Sequence, residues 1–378
     1  MLAREQAVHL KLWTGPKDGS LDPAPYRLLR LFAGCEVTQD ANQGAGSQGF
    51  QLSFSLQRDD EADYSLLSSE LLSPLRRIVI GLEIGDSQIT LMDGVISHYQ
   101  LSPDAQSLGQ ATLALSGRDL GVLMDLEQRD RPFPNQSDAD IVRQVLSDYA
   151  KLGLQPEVKS TGHGRSRHDR TLHQYETDLR YVQRLAQNNG FVFTLQPQAA
   201  GQVRAYFGPR ETSDGVLPAL TVGLGPGSNV RSLNFSFDPL VAVNTIGHTP
   251  DHENRRSRKT VHDEPPPEPL SAHPAPALRT VRLRQVGRRS PADADRAAQA
   301  QRQNQPDAVV GSGEVDGAHY GAFIVAGRQI IVRGAGDTYD GLYWVRRVTH
   351  RVAPGSYTQQ ISIGREGTGA RPGLRAGG

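Results

Sequence analysis

Short segments in which polar and apolar residues alternate set the fold class of this sequence. In residues 50–56 every second residue is apolar, without a break. Because successive side chains of a β-strand point to opposite faces, this spacing is typical of a sheet with one packed face and one hydrated face. Other short alternating or β-branched segments, punctuated by Gly and Asp, occur at residues 26–32, 77–84, 88–99 and 110–116. The sequence therefore predicts a small β-barrel or β-sandwich at its start.

Between residues 118 and 190 the apolar spacing changes to that of helices. Ser137 is placed to cap a helix in which the apolar residues from Ile141 to Tyr149 form one stripe. A second helix is predicted to begin at Thr177 and to end at Asn189-Gly190, a good pair for a C-cap. Strand-like segments follow, at residues 191–193, 205–207, 233–237 and 241–246. The pattern predicts a mainly β protein with a helical insertion, an α+β fold class.

A change in composition marks the main boundary of the chain. Residues 251–276 contain six prolines, many charges and almost no large apolar residue, which is typical of an exposed linker. Beyond it, a strand is predicted at 278–286, an Ala-rich helix at 290–304, and strands at 323–325, 329–333, 342–350 and 357–363. The predicted organisation is a first β-barrel unit (1–117), a helical insertion (118–190), a β extension (191–250), a Pro-rich linker (251–278), a second β-barrel unit (279–366) and a flexible tail (367–378).

Charge and cysteine content narrow the classes of function. Lys and Arg total 41, as do Asp and Glu, so the molecule has no long-range field of one sign to hold a nucleic acid. The single cysteine, Cys35, excludes an internal disulfide and a Cys-based zinc site. The first 13 residues include Arg4, Glu5 and Lys11 and lack the apolar run of a signal peptide, and no segment approaches membrane-spanning length. These features predict a protein of the bacterial cytoplasm with neither nucleic acid nor membrane as partner.

Two parts of the chain resemble each other. Residues 78–80 followed by Asp93-Gly94 are similar to residues 330–332 followed by Asp340-Gly341. In each case a strand with a His, a polar turn and a returning strand come next. We therefore predict two related β-barrel-like units, which in a ring of three chains would give six similar units around one axis.

Two longer motifs carry a family resemblance. Residues 174–191, Gln-Tyr-Glu-Thr-Asp-Leu-Arg-Tyr-Val-Gln-Arg-Leu-Ala-Gln-Asn-Asn-Gly-Phe, resemble an E-T-D-[LF] … R-L-A … G helix and its following strand. Residues 327–350, which include Tyr-Asp-Gly-Leu-Tyr-Trp-Val and Val-Thr-His, resemble a closing G-x-Y-x-V-x-x-V-x-H hairpin. Across nearly its whole length the chain resembles the phage late control D family of tail-hub proteins and the hub part of VgrG-type spike proteins. The matching positions are Glu176, Thr177, Asp178, Leu179, Gly190, Gly341, Tyr343, Val345 and His350.

The resemblance implies a structural role. It implies a baseplate hub of paired β-barrels that trimerises between the tail tube and the spike of a contractile phage tail or phage-tail-like injection system. No enzymatic activity, cofactor or metal is implied. The expected partners are further copies of the chain (a homotrimer), a separate spike protein, the tail tube or a tube-initiator protein, and other baseplate subunits. The chain would assemble in the bacterial cytoplasm and become part of a phage tail or injection particle.

One departure from the family pattern concerns the spike. VgrG-type proteins continue into an oligonucleotide-binding-fold domain and a β-helical needle, whereas this chain ends at Gly378, soon after the hairpin. We therefore expect the spike to be a separate polypeptide. Phage tails and extracellular injection systems fit this arrangement best, and a VgrG-like type VI hub without its needle is the alternative.

Candidate chemical sites in the sequence have simpler interpretations. His163, His168 and His173 are five residues apart, which puts them on no common helix face, and the arginines between them disfavour a metal. The Gly-rich residues 223–227 contain Pro226, which has no backbone donor, so a turn is favoured over a phosphate-binding loop. No Gly-x-Ser-x-Gly, His-Glu-x-x-His or Gly-Lys-Ser/Thr motif occurs.

The main basic concentration also has a simpler interpretation. Without interleaved aromatic residues for base stacking, a hydrated linker and the wet face of a strand are favoured over a nucleic-acid site. The residues are Arg255, Arg256, Arg258, Lys259, Arg279, Arg282, Arg284, Arg288 and Arg289.

Two functions of other classes stay open from the sequence alone. A tail-associated cell-wall hydrolase would need a titratable pair in a deep cleft. A nucleic-acid-binding regulator would show a salt-sensitive affinity for DNA. On the closing hairpin, Tyr343 and Trp344 are predicted to face opposite sides, one filling the barrel and the other facing a neighbour. His350 is predicted to be a hydrogen-bonded structural residue.

Overall fold

The computed structural model of the chain is mainly β. It describes residues 7–41, 44–59, 63–64, 66–67, 70–161, 172–211, 215–251, 256–262, 269–282 and 306–371. Four short helices accompany the strands within these residues. No helix in this part of the chain has the length and apolar composition needed to cross a membrane. The predicted class, mainly β with a helical insertion, is confirmed.

The first unit is formed by seven strands and one short helix. The alternation read from the sequence puts Phe50, Leu52, Phe54 and Leu56 in the core, with the residues between them facing outward. The elements are β1 (Val8–Gly15), β2 (Asp22–Pro23), α1 (Tyr26–Leu29), β3 (Phe32–Asp40), β4 (Gly49–Gln57), a 3₁₀ turn (Glu70–Leu72), β5 (Arg77–Ile84), β6 (Ser87–Pro103) and β7 (Gln110–Asp119).

The strand predicted at residues 26–32 is wrong, because the segment begins with the helical turn α1. The helix follows Pro25, whose fixed φ of −62° suits the start of a helix. Leu28 is buried in the first core, whereas Tyr26 is 75% exposed. Over so few residues, an apolar pattern does not separate one helical turn from a strand.

The insertion contains the two predicted helices, and both caps are confirmed. The Ser137 side chain accepts a hydrogen bond from Asp140 N (3.1 Å), and Gly190 ends the second helix with φ 70°. The elements are a 3₁₀ turn (Leu120–Met124), β8 (Arg131–Phe133), α2 (Asp138–Ser147), a 3₁₀ turn (Ala150–Leu152), β9 (Leu154–Val158), β10 (Leu172–Gln174), α3 (Asp178–Asn189), β11 (Val192–Ala199) and β12 (Gln202–Gly208).

The remaining residues form the second β unit and smaller sheets beside it. The strands predicted at 329–333, 342–350 and 357–363 are confirmed, and residues 223–227 form a turn as predicted. The elements are β13 (Val216–Thr221), a 3₁₀ turn (Gly225–Gly227), β14 (Ser232–Phe237), β15 (Val243–Asp251), β16 (Arg256–His262), β17 (Ser271–Pro274), β18 (Arg279–Arg282), β19 (Val309–Asp316), α4 (Gly317–Tyr320), β20 (Gln329–Arg333), β21 (Gly341–Ala353), β22 (Ser356–Arg365) and β23 (Gly367–Ala370).

Some segments of this half differ from the sequence expectation. β16 and β17 lie within the expected linker and β23 at the start of the expected tail, because β16 pairs with β15 and β17 pairs with β23. Residues 323–325 form no strand, and Ile324 is buried with its N–H donating to Gln359 Oε1 (2.7 Å). The helix predicted at 290–304 lies outside the described residues.

One large sheet joins the two β units. Its strand order is β14-β19-β22-β21-β3-β4-β7-β6-β5-β1-β2, with β20 attached to β21 and β13 attached to β20. The junction is the antiparallel pairing of β21 with β3, which runs from Arg347 opposite Asp40 to Val352 opposite Cys35. The sheet therefore continues from one unit into the other.

The internal similarity is present as a shared strand arrangement. In each unit a short strand, β5 or β20, pairs with the first part of a long strand, β6 or β21. A returning strand, β7 or β22, pairs with the rest of that long strand. This second pairing shifts register between Ile96 and His98 in β6 and between Val345 and Arg347 in β21. The Asp-Gly pair at residues 93–94 lies inside β6, so the units share strand order and not an Asp-Gly turn.

Three hydrophobic cores underlie these elements. The first lies in the first unit and also includes Val352 and Tyr357 of the second unit. The second joins the helices of the insertion to β9, β11 and β12. The third is formed by β13, β19, β20, β21 and β22. The first core thus contains residues from both ends of the chain.

Candidate functional site

The first motif forms a buried hydrogen-bond network at the start of α3. Asp178 is 1% exposed. Its carboxylate accepts three hydrogen bonds, from Arg131 Nη2 (2.5 Å), Gln174 Nε2 (2.7 Å) and Tyr149 Oη (2.8 Å). The pKa of Tyr149 is raised above its usual value, mainly by burial and to a smaller extent by the hydrogen bond to Asp178, so the phenol stays protonated and donates. The network ties α3 to β8, to β10 and to the end of α2.

Two neighbouring motif residues hold the same end of the helix. Thr177 is the N-cap, and its hydroxyl donates to Asp125 Oδ1 (2.5 Å). Glu176 accepts a hydrogen bond from Arg184 Nε (2.6 Å) on the next turns of the helix. These contacts satisfy groups at the helix start and fix the direction of the chain that enters it.

Leu179 packs α3 against the rest of the insertion, and Gly190 ends the helix. Leu179 is buried in the second core and lies so close to Gly46 that a Cβ at Gly46 would be 2.6 Å from its Cδ2 atom. Gly190 adopts the left-handed conformation that ends the helix. Both residues therefore support packing.

The second motif surrounds a buried arginine in the second unit. Tyr343 is buried, and its hydroxyl donates to Tyr339 O (2.7 Å). The guanidinium of Arg365 lies 4.3 Å from the centre of the Tyr343 ring and donates to Asp340 O (2.9 Å). Gly341 has φ 120°, and a Cβ there would lie 2.9 Å from Arg365 Nη1. Glycine is thus required for the close approach of this strand to the arginine.

The other residues of this motif also face the interior. Val345 and His350 are fully buried, and His350 Nδ1 is hydrogen-bonded to Tyr357 Oη (2.8 Å). Burial lowers the pKa of His350 to about 3, so the ring is neutral. Tyr343 is buried and Trp344 is half-buried, which fits the prediction that they face opposite sides of the strand.

The structure gathers the motif positions into two groups that pack in different cores, one at α3 and one on β21. Within the chain these positions cap α3, end it and fill the two cores, so they contribute to packing of the fold.

Two buried acidic groups were missed from the sequence. Asp93 makes a two-point ion pair with Arg77 (2.6 and 2.8 Å), and both side chains are buried. Asp119 accepts hydrogen bonds from the N–H groups of Gly46 (2.6 Å) and Gly121 (2.8 Å), while burial raises its pKa to about 6. Asp119 caps a 3₁₀ turn, a local signal that the sequence carries. The Arg77–Asp93 pair joins neighbouring strands and leaves no local signal.

An extended polar face crosses eight neighbouring strands, from β14 to β6. Residues directly opposite each other in a sheet share a face, so the register identifies its members. One row is Asp316, Thr358, Arg351, Glu36, Gln51, Ser116 and His98. Two rows on one side of it are Ser232, Glu314, Gln360, Thr349 and Thr38, and Asn234, Ser312, Ser362, Arg347 and Asp40. Two rows on the other side are Ser53, Ala114 and Gln100, and Ser55, Thr112 and Ser102.

Polar contacts cross the junction of the two units on this polar face. Thr38 and Thr349 are joined through their hydroxyls (3.0 Å), and Arg351 Nε donates to Glu36 (2.8 Å). A third contact of this kind, Arg347 to Asp40, measures 2.7 Å. The opposite face of the same strands supplies the first and third cores. The polar face is therefore the side of the sheet opposite these two cores, and it spans both units.

A cleft of about 530 Å³ lies between the first unit, the β11–β12 hairpin and the residues before β20. Arg204 donates to Glu157 (2.7 Å) and to Glu211 (2.5 Å), and its hydrogen bond lowers the pKa of Glu157 to about 2. Asp40 and Asp119 also line the cleft, and they are bonded to an arginine and to backbone N–H groups. A general acid needs a pKa near the working pH together with access to substrate. Asp119 has its pKa raised to about 6 but is 3% exposed and accepts hydrogen bonds from backbone N–H groups. The other described carboxylates of the cleft are paired with arginines.

Of the three histidines for which the sequence disfavours a metal site, one lies within the described residues. His173 stacks on the ring of Tyr175 with 4.3 Å between centroids, whereas His163 and His168 lie outside the described residues. Among the residues that the structure describes, no group of three His, Cys, Asp or Glu side chains could hold a metal ion.

The sequence matches a known protein family. The sequence model of the family described as phage tail baseplate hub (GPD) matches residues 47–356, more than half of the chain. The chain belongs to the phage tail baseplate hub family. This hub protein is thus a structural component of a phage tail or related injection particle, as the two motifs implied.

Solved structures share the fold of the hub protein. The tail protein from Neisseria meningitidis MC58 is 14% identical, with a TM-score of 0.64 over 98% of the hub chain and 99% of its own. The prophage MuSo2 tail protein from Shewanella oneidensis is also 14% identical, with a TM-score of 0.64 over 95% and 99%. A chain of the Francisella PdpA-VgrG complex is 11% identical, with a TM-score of 0.57 over 99% of the hub chain and 60% of its own. No curated protein sequence matches the hub chain.

Proposed function

We propose that three copies of the hub chain form a ring that joins the spike to the tail tube. The observation that carries this proposal is the repeated strand arrangement of the two units within one continuous sheet. Three copies of a chain with two similar units present six similar units around one axis. Such a ring can match a three-fold spike to a six-fold tube.

In this proposal the first unit (1–117) and the second unit (279–366) form the ring, and the insertion and β extension lie beside it. The partners are a separate spike protein, the tail tube or a tube-initiator protein, and other baseplate subunits. The similarity to a VgrG chain supports a spike as one partner. The hub is assembled in the bacterial cytoplasm and then becomes part of the particle.

The role is mechanical and needs no cofactor or catalytic group. Permanent protein assemblies bury large and rather apolar interfaces, typically about 2,000 Å² or more. Several large apolar side chains of the isolated chain are exposed, which supports such contacts. They are Tyr26, Tyr99, Leu108, Leu126, Tyr175, Leu224, Phe237, Leu240 and Leu278.

Light scattering of the full chain, alone and with the separate spike protein, tests the proposal. The expected mass without spike is three times the chain mass of 41.2 kDa, and addition of spike is expected to give a single larger complex. A chain that stays monomeric in both samples would refute the ring and the connection to the spike.

A further inference from the structure

A groove of about 980 Å³ lies between α3 of the insertion and the second β unit. From α3 it is lined by Arg180, Gln183, Arg184 and Gln187, whose spacing of three and four residues puts them on one face of the helix. Residues of β19, β21 and β22 in the second unit line the groove as well. The groove is therefore formed by two parts of the chain that fold around different cores.

The described charged side chains that line this groove are mainly positive. They are Arg180, Arg184, Arg210, Arg346 and Asp307. Arg346 Nε donates to Asp307 Oδ2 (2.5 Å), so the charges of this pair balance each other. The other three charged residues of the lining are all arginines. The groove therefore has an excess of positive charge.

One of these arginines is held near a second one inside the groove. Burial, and to a smaller extent the neighbouring Arg346, lower the pKa of Arg210 to about 10, while Asp307 and Asp40 act in the opposite direction. A lowered pKa means that the surroundings disfavour the positive charge of the guanidinium. Because opposite charges attract more strongly at a partly buried site than in water, an anionic group in the groove would offset part of this cost.

Arg180 and Arg184 are the accessible cations of the groove. Their side chains are 66% and 45% exposed. Arg180 Nε lies 3.4 Å from Asp125, and Arg184 Nε donates to Glu176 (2.6 Å), but neither acidic residue lines the groove. Because a guanidinium has five N–H donors in one plane, both arginines can also donate to a carboxylate in the groove. The helix thus presents two positive charges about one turn apart.

Apolar surface beside these charges favours a peptide as the occupant. Val310 is 37% exposed and lines the groove, as do Pro306 and the half-buried Phe191. A peptide with both acidic and apolar side chains would match both kinds of surface. A single-stranded nucleic acid fits less well, because its bases stack on open aromatic faces. Phe193 is buried, and Phe191 packs at 75° against the ring of Phe207 with 5.5 Å between centroids.

We infer that this groove binds an acidic, partly apolar peptide segment of a partner protein. Carboxylates of the segment pair with Arg180 and Arg184, and an apolar side chain packs on Val310. The helix residues that line the groove span roughly 10 Å, since a helix rises about 1.5 Å per residue. About three to four residues of an extended peptide cover this length. The groove is formed within one chain, so the inference does not depend on the ring of three copies.

Fluorescence anisotropy of a labelled octapeptide of alternating Glu and Leu, titrated with the full chain, tests this inference. Saturable binding is expected, and added salt should weaken it because the contacts are between charges. Arg180→Gln combined with Arg184→Gln should weaken binding about 10-fold, the loss expected for two exposed ion pairs. Arg143→Gln is the matched control, since Arg143 is 49% exposed on α2 and does not line the groove. It should change the affinity by less than about 2-fold.

Substitutions at Gln187 test the sign of the charge while every arginine stays in place. The Gln187 side chain is exposed and lines the groove. Gln187→Lys should strengthen peptide binding about 3-fold, and Gln187→Glu should weaken it about 3-fold. Circular dichroism of each variant checks that the fold is retained. Equal affinities of the two folded Gln187 variants would overturn the inference.

Two further probes decide the chemistry of the occupant. The same octapeptide with Lys in place of Glu should not bind, and equal binding of the two peptides would refute the acidic character of the occupant. A labelled single-stranded DNA that binds more tightly than the acidic peptide, and that loses affinity in the double arginine variant, would assign the groove to nucleic acid instead. The absence of saturable peptide binding up to about 100 μM protein would also refute the inference.

Discussion

Replacement of Asp178 by Ala is predicted to destabilise the protein by about 3 kcal/mol. The carboxylate is buried and accepts hydrogen bonds from Arg131, Gln174 and Tyr149 at 2.5–2.8 Å. Removing one partner of a buried ion pair costs about 3–5 kcal/mol, because the remaining charge is left without compensation. The lower value is expected here, since the Arg131 side chain is 25% exposed and keeps its bond to Asp148.

Asp148→Ala is the matched control, because it removes the other carboxylate that Arg131 contacts. The Arg131–Asp148 distance is 3.0 Å, but the Asp148 side chain is 45% exposed. Ion pairs in water contribute roughly 0–1 kcal/mol. The control is therefore expected to lose no more than about 1 kcal/mol.

Urea denaturation followed by far-UV circular dichroism measures both variants, at one protein concentration because assembly shifts apparent stability. Asp178→Ala should move the midpoint to lower urea with an unchanged slope, and Asp148→Ala should leave it nearly in place. Equal losses for the two variants would refute the reasoning, since burial would then not decide the strength of the pair. A loss below about 1 kcal/mol for Asp178→Ala would refute it as well.

Three further predictions follow from the packing. Burial lowers the pKa of His350 from an ordinary 6.5 to about 3 in the folded chain, so its contribution to stability is complete above pH 6.5. Below that pH the free energy of unfolding should fall by up to about 1.4 kcal/mol per pH unit. Urea midpoints of the unmodified protein and of His350→Gln from pH 7 to 4 measure this loss. Gly117→Ala should cost about 1–3 kcal/mol, since its Cβ would lie 2.2 Å from Val95 O and 2.4 Å from Phe50 Cζ. At Gly49 the nearest atom to an added Cβ is 3.7 Å away, so Gly49→Ala should cost less. Gly190→Ala should cost about 1–2 kcal/mol in thermal unfolding, since φ 70° strains an L residue.

Each of these predictions has a result that contradicts it. If the urea midpoint of His350→Gln fell with pH as much as that of the unmodified protein, the buried imidazole would not be the cause of the pH dependence. Equal stability of Gly117→Ala and Gly49→Ala would show that β7 moves away from β6 and β4 at little cost. An unchanged melting temperature for Gly190→Ala would mean that the end of α3 relaxes without strain.

Several elements could be predicted from the sequence because their signals are local. A strand shows its buried face through residues two apart, as in β4, and a helix shows its ends through the cap residues Ser137, Thr177 and Gly190. The two motifs likewise identified a family whose model matches the chain. Where the signal was too short, as at residues 26–32, the prediction failed.

Only the tertiary structure decided how these elements combine. The pairing of β3 with β21 joins residues about 310 positions apart, and it depends on which apolar faces pack together and not on spacing within either strand. The burial of Arg365 beneath Tyr343 and the Arg77–Asp93 pair likewise follow from strands brought together by packing. For the same reason the polar face is a property of the assembled sheet, because residues from distant parts of the chain share a face only once their strands are paired.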